Sequence, residues 1–208
     1  MGSAVWLRIG FMRLRHTSLV AALMVVFTSV VYGQTPTTSA GGDTPVFRVQ
    51  VWGYIVEDFT ARVASYYALR SQLQKGLPSL KVTDYPAEIR SAQLALAERI
   101  RVARHGAKPG EIFTPTIRVE FRRVLSLAID ANTLGAIMDD NPGRISHHIN
   151  GAYPEGEAFS TMPPNILAVL PRLPDDIHYR FLGRELILLD TAANVILDRI
   201  PCAIPCTD

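Results

Sequence analysis

The sequence predicts an α+β domain: a helical body of three main helices followed by a small C-terminal antiparallel hairpin or meander. Two observations carry the prediction. Three segments in the middle of the chain place apolar residues at steps of three and four, the spacing of one helix face. Three short apolar runs then close the chain, separated by turn-forming residues. Runs of helices followed by runs of strands favour α+β over an alternating layered fold.

The first helix is expected over residues 58–75. Ile55, Phe59, Val63, Tyr66, Leu69 and Leu73 share one face, and Gly76 and Pro78 stop the helix. Ahead of it, Phe47, Val49 and Val51 alternate with Arg48 and Gln50, which reads as a short strand. The second helix is expected over residues 86–104, with Pro86 in the first turn, where its missing amide costs nothing, and Glu88 at the positive end. Its buried stripe is Ile89, Ala92, Leu96, Ile100 and Ala103. The third helix, over residues 115–129, has the clearest start: Thr114 can cap it and Pro115 opens it, with Ile117, Phe121, Val124 and Ala128 following at helical spacing.

Short helices are expected over residues 133–138 and 164–170. Between them, residues 141–164 are rich in Pro and Gly and should form a loop hugging the domain. Strands are expected over residues 178–182, 185–189 and 195–199, with turns at Gly183-Arg184 and Thr191-Ala192-Ala193-Asn194 and one sheet face against the helices.

The N-terminus sets the domain organisation. Arg8, Arg13 and Arg15 precede an apolar run over residues 19–32, and Val31-Tyr32-Gly33 offers a small-residue exit. Residues 1–33 thus read as a secretory signal peptide. The run is shorter than the ~20 residues of a spanning helix, although an uncleaved inner-membrane anchor is the alternative. Met12 is a second candidate start. Residues 34–45 are rich in Thr, Ser, Gly and Pro and read as a flexible linker, leaving residues 46–208 as a single globular domain. Removing 33 residues from 208 leaves 175. Removing three Arg from 21 basic residues leaves 18 against 19 acidic ones, so the exported chain carries a net charge of −1. A near-neutral domain argues against non-specific nucleic-acid binding, and membrane contact is expected only through the signal segment if it stays uncleaved.

Candidate sites are sparse. Cys202 and Cys206 can form a local disulfide after export; free thiols and a metal or redox role are the alternatives. His147 and His148 follow Asp139 and Asp140 across a turn, a donor set that suits zinc or nickel. Adjacent histidines on an extended segment point to opposite faces, however, and a polar loop accounts for them equally. Arg99, Arg101, Arg104, Arg118 and Arg122 are a candidate surface for an envelope protein or an anionic surface; for those ending the second helix, its partial negative charge is sufficient reason. Glu120 and Arg123 can pair at i, i+3. Asp198 is expected to pair with Arg180 or Arg184, and turn chemistry is expected to account for Asp190 and Asn194. No nucleophile elbow, phosphate loop, zinc-protease motif or dinucleotide fingerprint occurs, and no cofactor is expected.

Two stretches carry a resemblance. One is Gly110-Glu111-Ile112-Phe113-Thr114-Pro115 with the helix through Phe121-Arg122-Arg123. The other runs from Tyr179-Arg180-Phe181 through Gly183-Arg184 and Leu188-Leu189-Asp190 to Ala193-Asn194-Val195-Ile196-Leu197-Asp198. Together they resemble a group of uncharacterised exported bacterial proteins that end in such a hairpin, over most of residues 55–200. The resemblance implies export and supplies no activity. The final hairpin is also similar to the closing hairpin of small periplasmic metal-stress proteins. The expected function is therefore a non-enzymatic interaction or structural module of the bacterial envelope. A periplasmic metal or small-ligand binder and an envelope hydrolase are the alternatives.

Overall fold

The computed structural model describes residues 45–77 and 85–206. The expected signal peptide, nearly all of the linker and Pro78 lie outside the described residues. Among the described residues five helices precede a three-stranded antiparallel sheet, so the fold is α+β as expected: α1 (Pro45–Gln74), α2 (Pro86–Ala103), α3 (Pro115–Ala128), α4 (Ala131–Asp139), α5 (Pro164–Val169), β1 (Ile177–Leu182), β2 (Glu185–Asp190) and β3 (Val195–Ile200).

The strand expected at residues 47–51 is instead the start of α1. Five alternating residues fit either period. Two features outweigh the alternation: Pro45 opens the helix, where proline is favoured, and the apolar stripe extends back to Val51 and Trp52, which pack on the core. Ile55, Phe59, Val63 and Tyr66 are buried on this face, and α1 packs on α2 and α3. On α2, Ala92, Leu96, Ala97 and Ile100 are buried, whereas Ile89 and Ala103, expected in the stripe, are exposed. They sit at the two ends of the helix and overhang the neighbours that cover its middle. α3 starts as its sequence demands: the Thr114 side chain accepts from Ile117 N, and Ile117, Phe121 and Leu125 are buried. Asp130 caps α4 in the same way through Thr133 N.

The strands run in the order β1-β2-β3, with a register shift at Leu188/Leu189. Phe59, Phe113 and Phe121 pack with Tyr179 where the helices meet the sheet, their ring centroids 5.0–6.5 Å apart. One sheet face packs on the helices, and the other is buried as well. Ile187, Leu189 and Ile196 point away from the helices and lie under Ile145, Ile149 and Tyr153 of the 141–164 loop. The unbroken apolar run of β2 has this physical origin, since a strand covered on both sides has no polar face.

Both sheet edges are occupied. Ser160 Oγ bonds both the amide and the carbonyl of Phe181 on the β1 edge, at 2.9 and 2.8 Å. On the β3 edge, Asn150 N donates to Ile196 O, and Ile196 N donates to Gly151 O. Covering the edges removes the unpaired donors that would otherwise recruit another strand.

Candidate functional site

Two aspartates are fully buried in the described sheet; one holds α1 to it and the other the loop before α3. Asp190 ends β2. Its Oδ1 accepts from Ala193 N, which is the expected turn chemistry. Its Oδ2 has a second role: it accepts from the Tyr66 hydroxyl at 2.6 Å and lies 2.9 Å from Arg70 Nε. Arg70 also reaches Asp176 at 2.7 Å, with its side chain only 3% exposed. Burial opposes a charge on Arg70, but the two aspartates hold its pKa above the ordinary value. Burial, and then the adjacent Asp190 carboxylate, push the Tyr66 hydroxyl far up, so it stays a neutral donor. The Arg104 guanidinium lies over the Tyr66 ring, 5.4 Å from its centroid. Arg70 escaped the sequence reading. Its signal was its position: it follows Val63 and Tyr66 at helical spacing, a cation inside an apolar stripe.

Asp198 does not pair with Arg180 or Arg184. Its carboxylate fills a cradle of backbone amides in the loop before α3, accepting from Gly110 N, Ile112 N and Phe113 N at 2.8–3.1 Å. Arg118 lies 3.7 Å away, alongside Gly110. Successive backbone N–H groups form a natural anion concavity, and here the anion is the protein's own carboxylate.

Four of the five arginines of the expected cationic surface also reach groups of the chain itself. Arg99 reaches across from α2 to cap the C-terminal carbonyls of α1, donating to Leu73 O and Lys75 O at 2.8 and 2.9 Å. Arg104 donates to Leu197 O and Glu111, and Arg122 donates twice to Pro201 O. With Arg118 held beside Asp198, Arg101 alone of the five has no internal contact of this kind among the described residues. The expected Glu120–Arg123 pair forms at 2.7 Å.

The four metal candidates do not converge. His147 turns inward to Glu185, whereas the ring of exposed His148 lies on Gly151, on the opposite side of the extended chain. Asp139 and Asp140 are exposed, and Asp140 accepts from Thr161. Among the described residues no group of three or more His, Cys, Asp or Glu side chains is placed to hold a metal ion.

His147 belongs instead to a cavity of about 430 Å³ between the 144–147 loop, the β1–β2 turn and the C-terminal tail. Three devices build its walls. Asn141 pins the turn, its amide donating to Gly183 O while its carbonyl accepts from Gly183 N and Gly143 N. Gly183 is required there: its φ is +59°, and a Cβ would lie 3.0 Å from Gly143 O. The tail folds back onto the same turn, with Ile204 N donating to Arg184 O and the Arg184 side chain donating to Pro205 O. The sulfurs of Cys202 and Cys206 lie at bonding distance with Cα atoms 5.4 Å apart, closing the tail into a small ring on the cavity wall.

Inside, His147 Nδ1 faces Ile145 O at 2.9 Å and Nε2 faces Glu185 Oε2 at 3.2 Å. Both neighbours only accept, so both ring nitrogens are satisfied when the ring is an imidazolium. The Glu185 hydrogen bond accordingly raises the His147 pKa, and the same bond, together with Arg199, lowers that of Glu185. Arg199 Nη1 reaches both Glu185 oxygens at 3.0 and 3.2 Å. The pairing follows from register: Arg199 lies opposite Ile187, which makes Glu185 its diagonal neighbour. Arg144 and Arg184 add two more cations. Sequence reasoning found His147 but not its surroundings, because loop, turn and tail meet only in the fold.

No family model, curated protein or solved structure matches this chain.

Proposed function

We propose that this protein is exported to the bacterial envelope and acts there as a non-enzymatic interaction or structural module. The observation that carries this reading is the Cys202–Cys206 pair at bonding distance, because such a cross-link persists in an oxidising compartment. It agrees with the signal-type pattern of residues 1–33 and with the resemblance to exported proteins. The module reading draws support from the buried acids: Asp190 and Asp198 are saturated by internal donors, as structural clamps are. The test is expression with the native N-terminus followed by osmotic-shock fractionation and thiol alkylation. The reading expects protein in the envelope fraction that resists alkylation until reduced; cytosolic protein with two reactive thiols would overturn it.

The cavity beside His147 favours a second reading, a small-ligand binder of the same compartment. A divalent-metal form of that reading predicts a melting temperature that rises with added zinc or nickel, since a ligand of the native state must stabilise it. An unchanged melting temperature counts against that form.

A further inference from the structure

We propose that the open cavity between the 144–147 loop, the Gly183–Arg184 turn and the disulfide-bonded tail is a binding site for a phosphoryl oxyanion. Three guanidiniums, from Arg144, Arg184 and Arg199, and the imidazole of His147 surround it, against the single carboxylate of Glu185. The cations come from a loop, a turn and a strand, so no one element's own chemistry explains their meeting. Glu185 is already engaged by Arg199 Nη1 and by His147, and one Arg184 nitrogen holds Pro205 O. The remaining guanidinium nitrogens of Arg184 and Arg199, and all those of Arg144, make no hydrogen bond among the described residues. Guanidinium forks match the tetrahedral face of a phosphate, and several converging forks favour it over a neutral ligand. The volume accommodates a phosphate with part of the group that bears it. Glu185 serves as a positioning residue: it holds His147 and Arg199 in place and favours the imidazolium form of His147.

His147 links the site to pH. The charged groups facing it are Glu185 from β2 and, through Glu185, Arg199 from β3, with the Ile145 carbonyl from its own loop. Protonation adds a cation to the wall, and Glu185 raises the pKa of His147 above the ordinary imidazole value, so the site holds an anion more tightly below that raised pKa than above it.

The proposal does not depend on export, because its test uses purified protein from whichever compartment it is recovered. Inorganic phosphate is titrated calorimetrically at fixed ionic strength, and vesicles of phosphatidylglycerol are compared with vesicles of phosphatidylcholine in a flotation assay. Saturable phosphate binding alone identifies a soluble phosphate ligand; selective capture by phosphatidylglycerol identifies a lipid head group. In either case Arg144→Gln, at an exposed position without an ion-pair partner, weakens binding by about tenfold, the usual share of one charge-assisted contact. Sulfate, whose charge is fixed between about pH 6 and 8, binds more tightly at the lower pH, and His147→Gln removes that difference. Absence of saturable binding to phosphate together with no preference between vesicles would overturn the proposal, as would binding unaffected by Arg144→Gln.

Discussion

Replacing Asp198 with alanine is the most informative perturbation of the fold. The carboxylate is fully buried and accepts from three loop amides, at Gly110, Ile112 and Phe113, besides the amide of Arg199. Alanine leaves those loop donors without a partner in the protein interior. A buried, unsatisfied amide costs roughly 1–3 kcal/mol, and water entering the space left by the carboxylate recovers part of that. The expected loss is about 3–5 kcal/mol, a large share of the ~5–15 kcal/mol that holds a domain together. Asp198→Asn keeps the shape and one acceptor but turns an NH2 toward amide donors, so about 2 kcal/mol is expected. The assay is urea unfolding followed by the fluorescence of Trp52, which packs on Phe121 in the core. The loss should appear as a lower midpoint with an unchanged slope. A loss below about 1 kcal/mol for alanine would refute the reasoning and mean that the amides are well solvated without the carboxylate.

Four further outcomes follow from the same contacts. Tyr66→Phe removes a 2.6 Å hydrogen bond to a buried carboxylate and should cost about 1.5–3 kcal/mol in the same unfolding assay. The Cys202→Ser/Cys206→Ser double variant opens a short ring, so the loss should not exceed about 2 kcal/mol. Gly183→Ala forces a side chain onto positive φ and against Gly143 O, and a calorimetric scan should show a loss of about 1–3 kcal/mol. The His147–Glu185 pair makes stability depend on pH. The folded pKa of His147 is raised, so its contribution is complete below the ordinary value of 6.5 and is lost as pH rises through the folded value. The folded pKa of Glu185 is lowered, so its contribution is present above the ordinary 4.5 and is lost as pH falls through the folded value. The melting temperature should therefore be higher near pH 6 than near pH 8, and His147→Gln should flatten that difference.

The sequence made the elements legible where the local chemistry was strong. Thr114-Pro115 announced α3, and Gly183-Arg184 announced the hairpin turn, because cap and turn preferences act within a few residues. The opening of α1 is not legible in the sequence, because Phe47, Val49 and Val51 fit a strand period as well as a helix period and Pro45 closes a linker-like stretch. Ile89 and Ala103 kept the spacing of a buried stripe, but the helix extends past what covers it. The candidate site was less legible. The carbonyls that Arg99 and Arg122 reach are not visible in the sequence, because an arginine's long stem spans to backbone far along the chain. Glu185 and Arg199 become neighbours only through strand register, and Arg144 joins them only because Asn141 ties its loop to the turn.

The measurement that tests the central claim most directly is the intact mass of the protein recovered from the envelope of cells expressing it, with and without reductant. An exported, cross-linked domain predicts the mass of residues 34–208, rising by two hydrogens on reduction. A cytosolic product that retains residues 1–33 and shows no mass change on reduction would contradict it.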